Sequence, residues 1–345
     1  MIKPVNLLIV RTDRIGDVVL SLPLAELVKK HYPSCRITFL LKDYTKSLAA
    51  GHSFIDDIII LKEKNNKIPL LDNIRQIRKN SYDSVIVVYP TFITSLIIFL
   101  SGIKNRIGTG YRWYSLLFNN KVFEHRKNAL KHELEYNVNL LKIFGIEDEV
   151  NPSNVRFNLV IDKKDDERVK TILKVKGINL KIPLIIIHPG SGGSAMDLPL
   201  NKFKELIDLI KNNLIAEIVI TGSKSEMDLC HSLYTSGKTK NLSGLFNLAE
   251  LKALISYSDI FIANSTGPLH IAAALGKNVI GFYPKIAQCS PKRWGPYTKK
   301  SVVFTPDLNC SDCTREQCER LDCMNTISVP EIFAELEKIY KFVHK

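Results

Sequence analysis

The chain has 345 residues, of which 45% are hydrophobic and 24% charged, and its formal net charge is +13. This length predicts roughly two globular domains, and the positive charge favours anionic partners. The sequence has no arginine-rich block, zinc-finger spacing or aromatic RNA-binding motif, so nucleic acid is excluded as the expected partner. The apolar run in the opening "MIKPVNLLIVRTD" is too short for a signal peptide, and we therefore expect a cytoplasmic protein.

The first half of the chain alternates short apolar runs with helical stretches. The runs are "NLLIV", "RITFLL", "DDIIIL" and "SVIVV". This alternation predicts right-handed βαβ units and a parallel sheet buried on both faces. Ser84 to Ile103 contains no charge and has about the length of a membrane span. Because Pro90 divides this segment, we predict a buried strand followed by a short packed helix instead.

The same pattern starts again in the second half, with "LIIIHPG", "EIVITG", "DIFIANSTG" and "NVIGFYP" as strand ends. The sequence therefore predicts an α/β fold of two doubly wound, Rossmann-like domains whose strands end at a central cleft. We assign residues 1–160 to the N-terminal domain and residues 161–328 to the C-terminal domain. The amphipathic helix of residues 329–345 is expected to pack back across the domain join.

Ser265, Thr266 and Gly267 follow a predicted strand and begin an alanine-rich helix. The first backbone N–H groups of a helix have no partner within the helix, and together they bind phosphate groups well. Pro268 suits the first helical turn because its missing N–H is not needed there. The turn is either a diphosphate site or an ordinary Ser/Thr helix cap.

Two further loops of the second half have residues suited to a nucleotide. In "HPGSGGSAMDLP", Ser191 and Gly192 belong to a Gly/Ser run that lets the backbone approach a ligand closely. In "VITGSKSEMD", Gly222 closes a strand, and Glu226 either binds ribose hydroxyls or is only a first-turn helix acid. Neither GxGxxG nor GxxxxGK[ST] occurs, which argues against a nicotinamide dehydrogenase or a P-loop kinase.

Taken together, "RTDRIGDVVLSLP", "HPGSGG", "TGS" with its following Glu226, and "NSTGPLHIAAALGKNVIGFYP" resemble the heptosyltransferases of glycosyltransferase family 9. The resemblance spans nearly the whole chain, and "RIGD" and "STGPLH" are its most specific parts. It implies the two-domain GT-B architecture, in which residues 1–160 form the acceptor-binding domain and residues 161–328 the nucleotide-sugar-binding domain. It also implies ADP-heptose as donor and the inner core of lipopolysaccharide as acceptor. It also implies that no cofactor or catalytic metal is required, because helix N-termini and basic side chains neutralise the leaving diphosphate.

The resemblance gives Asp17 of "IGD" the role of general base in an inverting displacement. A sugar hydroxyl is a poor nucleophile until its proton is removed as it attacks the anomeric carbon. Asp13 is the rival for this role, or else it orients Arg11 or Arg14. Alternatively, Asp17 only caps the helix that begins there.

For the donor, the resemblance assigns the diphosphate to the turn of Ser265 to Gly267, with His270 close behind, and the ribose to Glu226. Because the rest of its helix is apolar, His270 could instead be a core histidine whose hydrogen bonds are satisfied.

One position departs from the family pattern. Family members often carry a lysine that contacts the donor phosphates in the loop before "WP", and Met196 stands there in this chain, followed by Asp197. Either Lys202 or Arg293 supplies the charge, or the donor is different. The departure keeps two alternatives open: a GT-B transferase that uses another nucleotide sugar for a different surface glycan, and a non-catalytic relative that binds sugar nucleotides or glycans.

The acceptor expected from the resemblance is an anionic, lipid-linked saccharide, and the loop "KNRIGTGYRWY" offers groups that could bind it. Arg106 and Arg112 could pair with a carboxylate or phosphate, together with Arg14, while Tyr111 and Trp113 could stack on a sugar face. The alternative is a plain exposed basic loop. Its positive charge also leads us to expect peripheral contact with the inner surface of the cytoplasmic membrane.

Four cysteines near the end of the chain follow the spacing C-x2-C-x4-C-x4-C. They are Cys310, Cys313, Cys318 and Cys323. In a reducing compartment a disulfide framework is not expected, so the cluster is either a structural zinc site or a group of reduced thiols. The isolated Cys35, Cys230 and Cys289 are expected to be small buried hydrophobic residues.

Overall fold

The computed structural model describes residues 2–65, 67–234, 239–308, 310 and 313–343. The chain forms two compact units, the first made of residues 1–126 and 131–160 and the second of residues 127–130 and 161–345. Each unit is built on its own parallel sheet of six strands.

The first unit contains the strands Asn6–Val10 (β1), Arg36–Leu41 (β2), Asp57–Ile60 (β3), Ser84–Val87 (β4), Asn105–Thr109 (β5) and Asn120–Val122 (β6). Its α-helices are Ile15–Val19 (α1), Pro23–His31 (α2), Lys46–Ala49 (α3), Leu70–Arg78 (α4), Phe92–Leu100 (α5) and Glu133–Val138 (α6). The strands lie in the order β3-β2-β1-β4-β5-β6, which is the order of a Rossmann fold.

The centre of this sheet is apolar and fully buried. Val10 ends β1 and pairs with Leu40 on one side and with Val87 on the other, and Leu7 to Val10 have no exposed surface. The strand order reverses between β1 and β4, and ligands of open α/β sheets bind at the carboxyl ends of the strands at such a point. The segment from Arg11 to Asp17 follows β1 at this position.

The uncharged segment from Ser84 to Ile103 forms a strand and a helix, as predicted. After β4, Thr91 caps α5 by accepting a hydrogen bond from the Thr94 N–H, and α5 ends at Leu100 after only nine residues. Across the described part of the chain, no helix is both long enough and apolar enough to span a membrane.

The second unit contains the strands Leu184–His188 (β7), Glu217–Ile220 (β8), Thr239–Asn241 (β9), Ile260–Asn264 (β10), Asn278–Phe282 (β11) and Ser301–Phe304 (β12). Its α-helices are Lys163–Val175 (α7), Leu200–Asn213 (α8), Met227–Ser232 (α9), Leu248–Tyr257 (α10), Gly267–Ala274 (α11), Pro291–Trp294 (α12), Arg315–Arg320 (α13) and Val329–Val343 (α14). The strand order β12-β11-β10-β7-β8-β9 repeats the Rossmann order with β7 in the first position. The predicted α/β fold with two doubly wound halves is confirmed.

In this second sheet the order reverses between β7 and β10, whose carboxyl ends lie side by side because Ala263 pairs with His188. The last helix, α14, packs on α8 through the buried Ile332 and Leu336. The Tyr340 hydroxyl donates to the Ile215 carbonyl oxygen at 3.0 Å. The expected packing of this helix across the domain join stays a prediction.

Candidate active site

In the first unit, a buried guanidinium collects three carboxylates at the carboxyl end of β1. Arg11 has no exposed surface, and its Nε lies 2.8 Å from Asp13 Oδ1. Its Nη2 donates to Asp17 Oδ1, and its Nη1 lies 3.6 Å from Glu133 Oε1. Burial alone would lower the pKa of Arg11, but the three acids outweigh burial and raise it above its ordinary value. Arg11 therefore stays charged and fixes the acids around it.

Asp17 lies in the first turn of α1, but its carboxylate pairs with Arg11. The side chain is 16% exposed, whereas that of Arg11 is fully buried. The residue at the N-cap of α1 is Arg14, which makes no side-chain capping bond. This geometry does not favour a simple helix cap as the role of Asp17, because its oxygen is directed to the guanidinium and part of the side chain remains open to solvent.

Asp17 belongs to a closed ring of contacts that the sequence did not reveal. Beyond Arg11, Glu133 pairs with Arg126 at 2.5 Å, and Arg126 Nη1 donates to Asn137 Oδ1 at 3.0 Å. The Asn137 amide is 3.3 Å from the Ser21 hydroxyl, which donates to the Asp17 main-chain oxygen at 2.8 Å. The ring connects α1 with α6, and it holds Asp17 at its carboxylate through Arg11 and at its main chain through Ser21.

Asp13 is the second acid at this edge, and its pKa departs from the ordinary value. Burial raises the pKa of Asp13 to about 7, with the neighbouring Asp17 and Glu133 adding to the rise and Arg11 opposing it. The Tyr44 hydroxyl donates to the Asp13 main-chain oxygen at 2.6 Å. Near neutral pH, Asp13 therefore carries a proton in about half of the molecules.

In the second unit, Glu226 joins the loops that follow β7 and β8. Its Oε2 accepts from the Ser223 N–H at 2.8 Å and from the Ser223 hydroxyl at 2.7 Å, while its Oε1 accepts from the Gly192 N–H at 3.3 Å. Burial would raise the pKa of Glu226, but these hydrogen bonds and the nearby His188 lower it below the ordinary value. Glu226 is thus both a helix-capping acid and a carboxylate held against the Gly/Ser loop.

Gly190 is required for this arrangement because the Glu226 carboxylate lies against its α-carbon. A Cβ at residue 190 would be 2.0 Å from Glu226 Oε1. Gly222 is similarly close to the Cys230 sulfur, at 2.6 Å from its ideal Cβ. Beneath them, His188 Nδ1 lies 3.0 Å from the Thr221 hydroxyl, and burial lowers the pKa of His188 to about 4, so its imidazole is neutral.

The turn between β10 and α11 brings Ser265, Thr266 and Gly267 to the carboxyl edge of the second sheet. Thr266 is the N-cap residue of α11, but its side chain makes no capping hydrogen bond. Its hydroxyl is therefore not committed as in an ordinary Ser/Thr cap. His270 is buried on the same helix. This turn has the geometry of an anion-binding helix N-terminus.

Asn264 connects this turn to the Gly/Ser loop. Its amide donates to the Pro189 carbonyl oxygen at 2.6 Å, and its Oδ1 accepts from the Leu198 N–H at 2.9 Å. The loop after β7 and the turn after β10 are therefore held together at one edge of the sheet. The "N" of "NSTG" was the available signal for this role, since a strand-end Asn commonly bonds neighbouring loop backbone.

Comparison with known proteins identifies the family. The model of glycosyltransferase family 9 (heptosyltransferase) matches residues 71–323. The chain belongs to glycosyltransferase family 9. A Haemophilus influenzae protein provisionally named a glycosyltransferase is 30% identical over 314 residues, which are 87% of this chain and 89% of that protein.

Solved structures of family 9 have the same fold. A glycosyltransferase of family 9 from Veillonella parvula superposes with a TM-score of 0.82 at 18% identity, covering 97% of each chain. The ADP-heptose LPS heptosyltransferase II of E. coli superposes with a TM-score of 0.78 at 17% identity, covering 99% of this chain and 100% of that one. These likenesses confirm the predicted fold, and the match to the family model confirms the prediction that the protein is a glycosyltransferase.

At the position where family 9 proteins were expected to carry a lysine, Met196 packs against apolar residues of the second unit. The adjacent Asp197 is mostly buried, and burial raises its pKa to about 6, while Ser191 and Arg315 nearby hold the pKa down. Of the two expected substitutes, Arg293 lies over the Trp294 ring and Lys202 lies in the first turn of α8. Sequence reasoning missed Arg315, which comes from α13.

Arg315 lies beside a cavity of about 410 Å³ at this loop. The cavity is lined by Ser194, Ala195, Met196, Ile286, Ala287, Gln288, Cys289, Cys313, Thr314 and Arg315. Arg315 also pairs with Glu319 at 3.1 Å. A cation is therefore present near the position of the missing lysine, but it comes from a different part of the chain.

The three arginines expected to bind an acceptor are placed very differently. Arg14 is exposed at the N-cap of α1, three residues before Asp17. Arg106 lies near the amino end of β5 and donates to the carbonyl oxygens of Leu117 and Ile103 at 2.8 and 2.6 Å. Arg112 is exposed beyond the carboxyl end of β5. Arg106 thus has an internal role in this structure, and Arg14 and Arg112 are the two that face solvent.

The four clustered cysteines form a compact group of thiols in contact with Ile286, and the structure gives the zinc prediction no support. Burial first, and then the neighbouring Cys323 and Cys313, raise the pKa of Cys318 to about 12. Among the residues described, no group of three or more His, Cys, Asp or Glu side chains is arranged to hold a metal ion. Cys35 and Cys230 are buried, as predicted, and Cys289 is half-buried.

Proposed function

We propose that this family 9 glycosyltransferase is an inverting heptosyltransferase that transfers heptose from ADP-heptose to the inner core of lipopolysaccharide, with Asp17 as general base. The observation that carries the proposal is the Asp17 carboxylate, which is fixed by the buried Arg11 and is still partly exposed at the carboxyl edge of β1. A general base must be held in place and must reach its substrate, and Asp17 meets both conditions.

In the proposed reaction, Asp17 takes the proton of an acceptor hydroxyl while that oxygen attacks the anomeric carbon of the donor. The new C–O bond forms as the bond to the ADP oxygen breaks, and ADP leaves with its electron pair. Arg11 and the ring through Glu133 keep the carboxylate oriented during this step. A fixed base lowers the barrier because its orientation has already been set before the substrate binds.

On the donor side, we assign the diphosphate to the turn of Ser265 to Gly267 and the ribose to Glu226. The N-terminus of α11 stabilises the charge of a departing diphosphate without a metal ion. The naming of ADP-heptose for the structurally similar E. coli enzyme supports this choice of nucleotide. We also propose that the reaction takes place in the cytoplasm and that its acceptor is an anionic, lipid-linked saccharide, with Arg14 and Arg112 as its contacts.

A second candidate is transfer of a different nucleotide sugar to another surface glycan. The observation that favours it is Met196, whose thioether packs among apolar side chains next to the partly protonated Asp197. A lysine at this position would place a cation on the donor phosphates, so the change of residue alters the charge that the donor meets.

The test is a calorimetric titration of the protein with ADP, UDP, GDP and NAD, followed by an assay of transfer from ADP-heptose to a deacylated core saccharide in the presence of EDTA. We expect selective binding of ADP and transfer without added metal. Preference for UDP or GDP would favour the second candidate. Binding of ADP without any transfer would instead identify a relative that binds sugar nucleotides but has lost turnover.

A further inference from the structure

We propose that the first unit docks on an anionic lipid bilayer through one surface at the β5–β6 edge of its sheet. The surface combines exposed apolar rings with unpaired basic side chains. Its apolar members are Phe92, Phe99, Tyr111, Trp113, Leu116 and Phe123, and its basic members are Lys104, Arg112 and Lys121. We call these residues the aromatic–basic surface.

These side chains are far more exposed than apolar residues of a core. Trp113 is 73% exposed, Leu116 69% and Phe123 63%, whereas Ile107 in the middle of β5 is fully buried. Isolated exposed apolar residues are normal on a protein surface, but a contiguous group of large ones marks a site of contact with a membrane or another protein.

The path of the chain makes the group contiguous. Helix α5 runs from the carboxyl edge of the sheet to the amino edge, where β5 begins. The 3₁₀ turn Trp113–Leu117 runs in the same direction and lies beside α5. At one end, Phe92 stacks on Trp113 with ring centroids 4.9 Å apart. At the other end, Arg106 lies over the Phe99 ring and donates to the Leu117 carbonyl oxygen.

The rings are held in place by contacts within the surface. Tyr111 stacks on His125 with centroids 3.8 Å apart and meets Phe123 edge-on at 5.6 Å. Phe123 lies flat against Gly110, where a Cβ would come within 2.3 Å of its ring. These aromatic side chains are therefore fixed with one face toward solvent, which lowers the entropy lost on docking.

The positive charge of this surface favours an anionic bilayer as its binding partner. Between Asp83 and Glu124 the sequence contains no acidic residue, although acids make up 35 of the 345 residues overall. Lys104, Arg112 and Lys121 are exposed on this segment, and none of the three pairs with an acid among the residues that the structure describes. Tyr and Trp with flanking bases favour the headgroup region of a membrane, where anionic lipids attract the bases.

A bilayer would also hold the enzyme beside a lipid-linked acceptor, so the purpose of the surface rests on the proposed function. The docking itself does not, because vesicle binding is measured without donor or acceptor. Failure of docking and failure of transfer are therefore distinguishable: transfer to a deacylated, water-soluble acceptor tests the function alone.

The chain supplies its own probe, since Trp113 and Trp294 are its two tryptophans. In the full-length Trp294→Phe variant, the fluorescence of Trp113 should shift to shorter wavelength on addition of phosphatidylglycerol vesicles, and brominated lipids should quench it. Pure phosphatidylcholine vesicles and high salt should weaken both effects. An unchanged emission spectrum at saturating phosphatidylglycerol would overturn the proposal.

Variants on the surface sharpen the test. Leu116→Asp should weaken partition onto phosphatidylglycerol vesicles at least tenfold, whereas Leu71→Asp, an equally exposed leucine on α4, should not. Arg112→Gln and Lys121→Gln should each weaken partition about fivefold, with Lys79→Gln as the matched control. Leu116→Asp should leave transfer to the soluble acceptor unchanged.

Two other occupants would contradict the proposal. If Trp113 emission responds to the soluble core saccharide but not to vesicles, the surface is a saccharide site. If it responds to protein concentration alone, with a matching rise in molar mass by light scattering, the surface joins two copies of the chain. In either case the bilayer assignment falls.

Discussion

The two sheets have the same strand order, yet they present opposite chemistry at the same topological position. At the β1–β4 crossing, Arg11 gathers Asp13, Asp17 and Glu133. At the β7–β10 crossing, glycines, small hydroxyl residues and backbone N–H groups come together, with the neutral His188 beneath them. One edge is a cluster of charged side chains, and the other is a cradle of backbone.

The difference matches the two tasks that we propose for the two copies of this fold. Accepting a proton needs a side chain with a fixed carboxylate, whereas holding a diphosphate needs backbone donors and space for close approach. The Rossmann order supplies the position in both cases, and the few residues after each first strand decide the chemistry.

The largest expected effect tests the charged edge. Asp17→Asn should lower the rate of heptose transfer by roughly 10²- to 10⁴-fold, because the amide cannot accept the proton of the acceptor hydroxyl. The dissociation constant for ADP, measured by calorimetry, should change less than about twofold, since the assigned ADP contacts are in the other unit. Asp72→Asn, at an exposed acid of α4, is the matched control. Retained transfer in Asp17→Asn would give the role of base to another residue, with Asp13 as the first candidate.

The next effect tests the backbone cradle. Gly190→Ala should weaken ADP binding by roughly 10- to 100-fold, because the added Cβ would lie 2.0 Å from Glu226 Oε1 and must displace that carboxylate. Gly193→Ala is the comparison variant: a Cβ there meets no atom within 4 Å, but the φ of Gly193 is +74°, so this variant measures backbone strain in the same loop without the clash. Calorimetric titration measures both.

A double variant separates this clash from a general loss of fold. In the Glu226→Ala background the carboxylate is gone, so adding Gly190→Ala should cost little further affinity, and the two changes should be clearly non-additive. Additive losses would mean that Gly190 and Glu226 act on the nucleotide independently.

The contrast between the two edges also explains what the sequence could predict. Short apolar runs, Pro90 and the strand-end motifs were enough for two doubly wound halves, because each is a local pattern. Asp17 and the "STG" turn could be named as candidates from the sequence because their motifs lie within a few residues of a strand end. Glu133, Arg126 and Asn137 were not found, because they come from a segment more than 100 residues after Asp17 and reach it only through the folded chain.

The direction of each side chain was a second feature that the sequence could not predict. Arg106 and Arg112 are only six residues apart and looked equivalent in the sequence, but one lies in β5 and bonds carbonyl oxygens while the other follows the strand and faces solvent. Likewise, the cysteine spacing could not tell protonated thiols packed together from deprotonated ligands of a metal. That difference depends on where the folded chain places the side chains, and among the described residues no group of three or more is placed to hold a metal ion.

A smaller effect concerns the proton on Asp13. Its pKa is about 7 in the folded protein against 3.8 for the free side chain, so the folded state binds a proton that the unfolded state releases between these values. The free energy of unfolding of the wild type should therefore fall as pH rises through this window, by about 2 kcal/mol between about pH 5.5 and about pH 7. Asp13→Asn lacks this titration, so its stability relative to wild type should increase over the same range. Urea denaturation followed by Trp113 fluorescence in Trp294→Phe chains measures it, and a pH-independent difference would show that Asp13 is not protonated in the fold.

The smallest expected effect tests whether the four clustered cysteines of the second unit bind a structural metal. A structural metal beside the donor loop would contribute to folding directly, and its removal would lower the melting temperature by many degrees. The four cysteines pack with Ile286, and the described residues contain no group of three or more His, Cys, Asp or Glu side chains placed to hold a metal ion. We therefore expect incubation with EDTA to leave the melting temperature unchanged. Cys318→Ala should cost only about 1–2 kcal/mol, the value for a small buried apolar side chain. Elemental analysis of the freshly purified protein decides the matter. Zinc or iron near one atom per chain, together with a large loss of stability in EDTA, would contradict this prediction. The thiols would then lose their protons to a metal, and this edge, too, would depend on fixed charge.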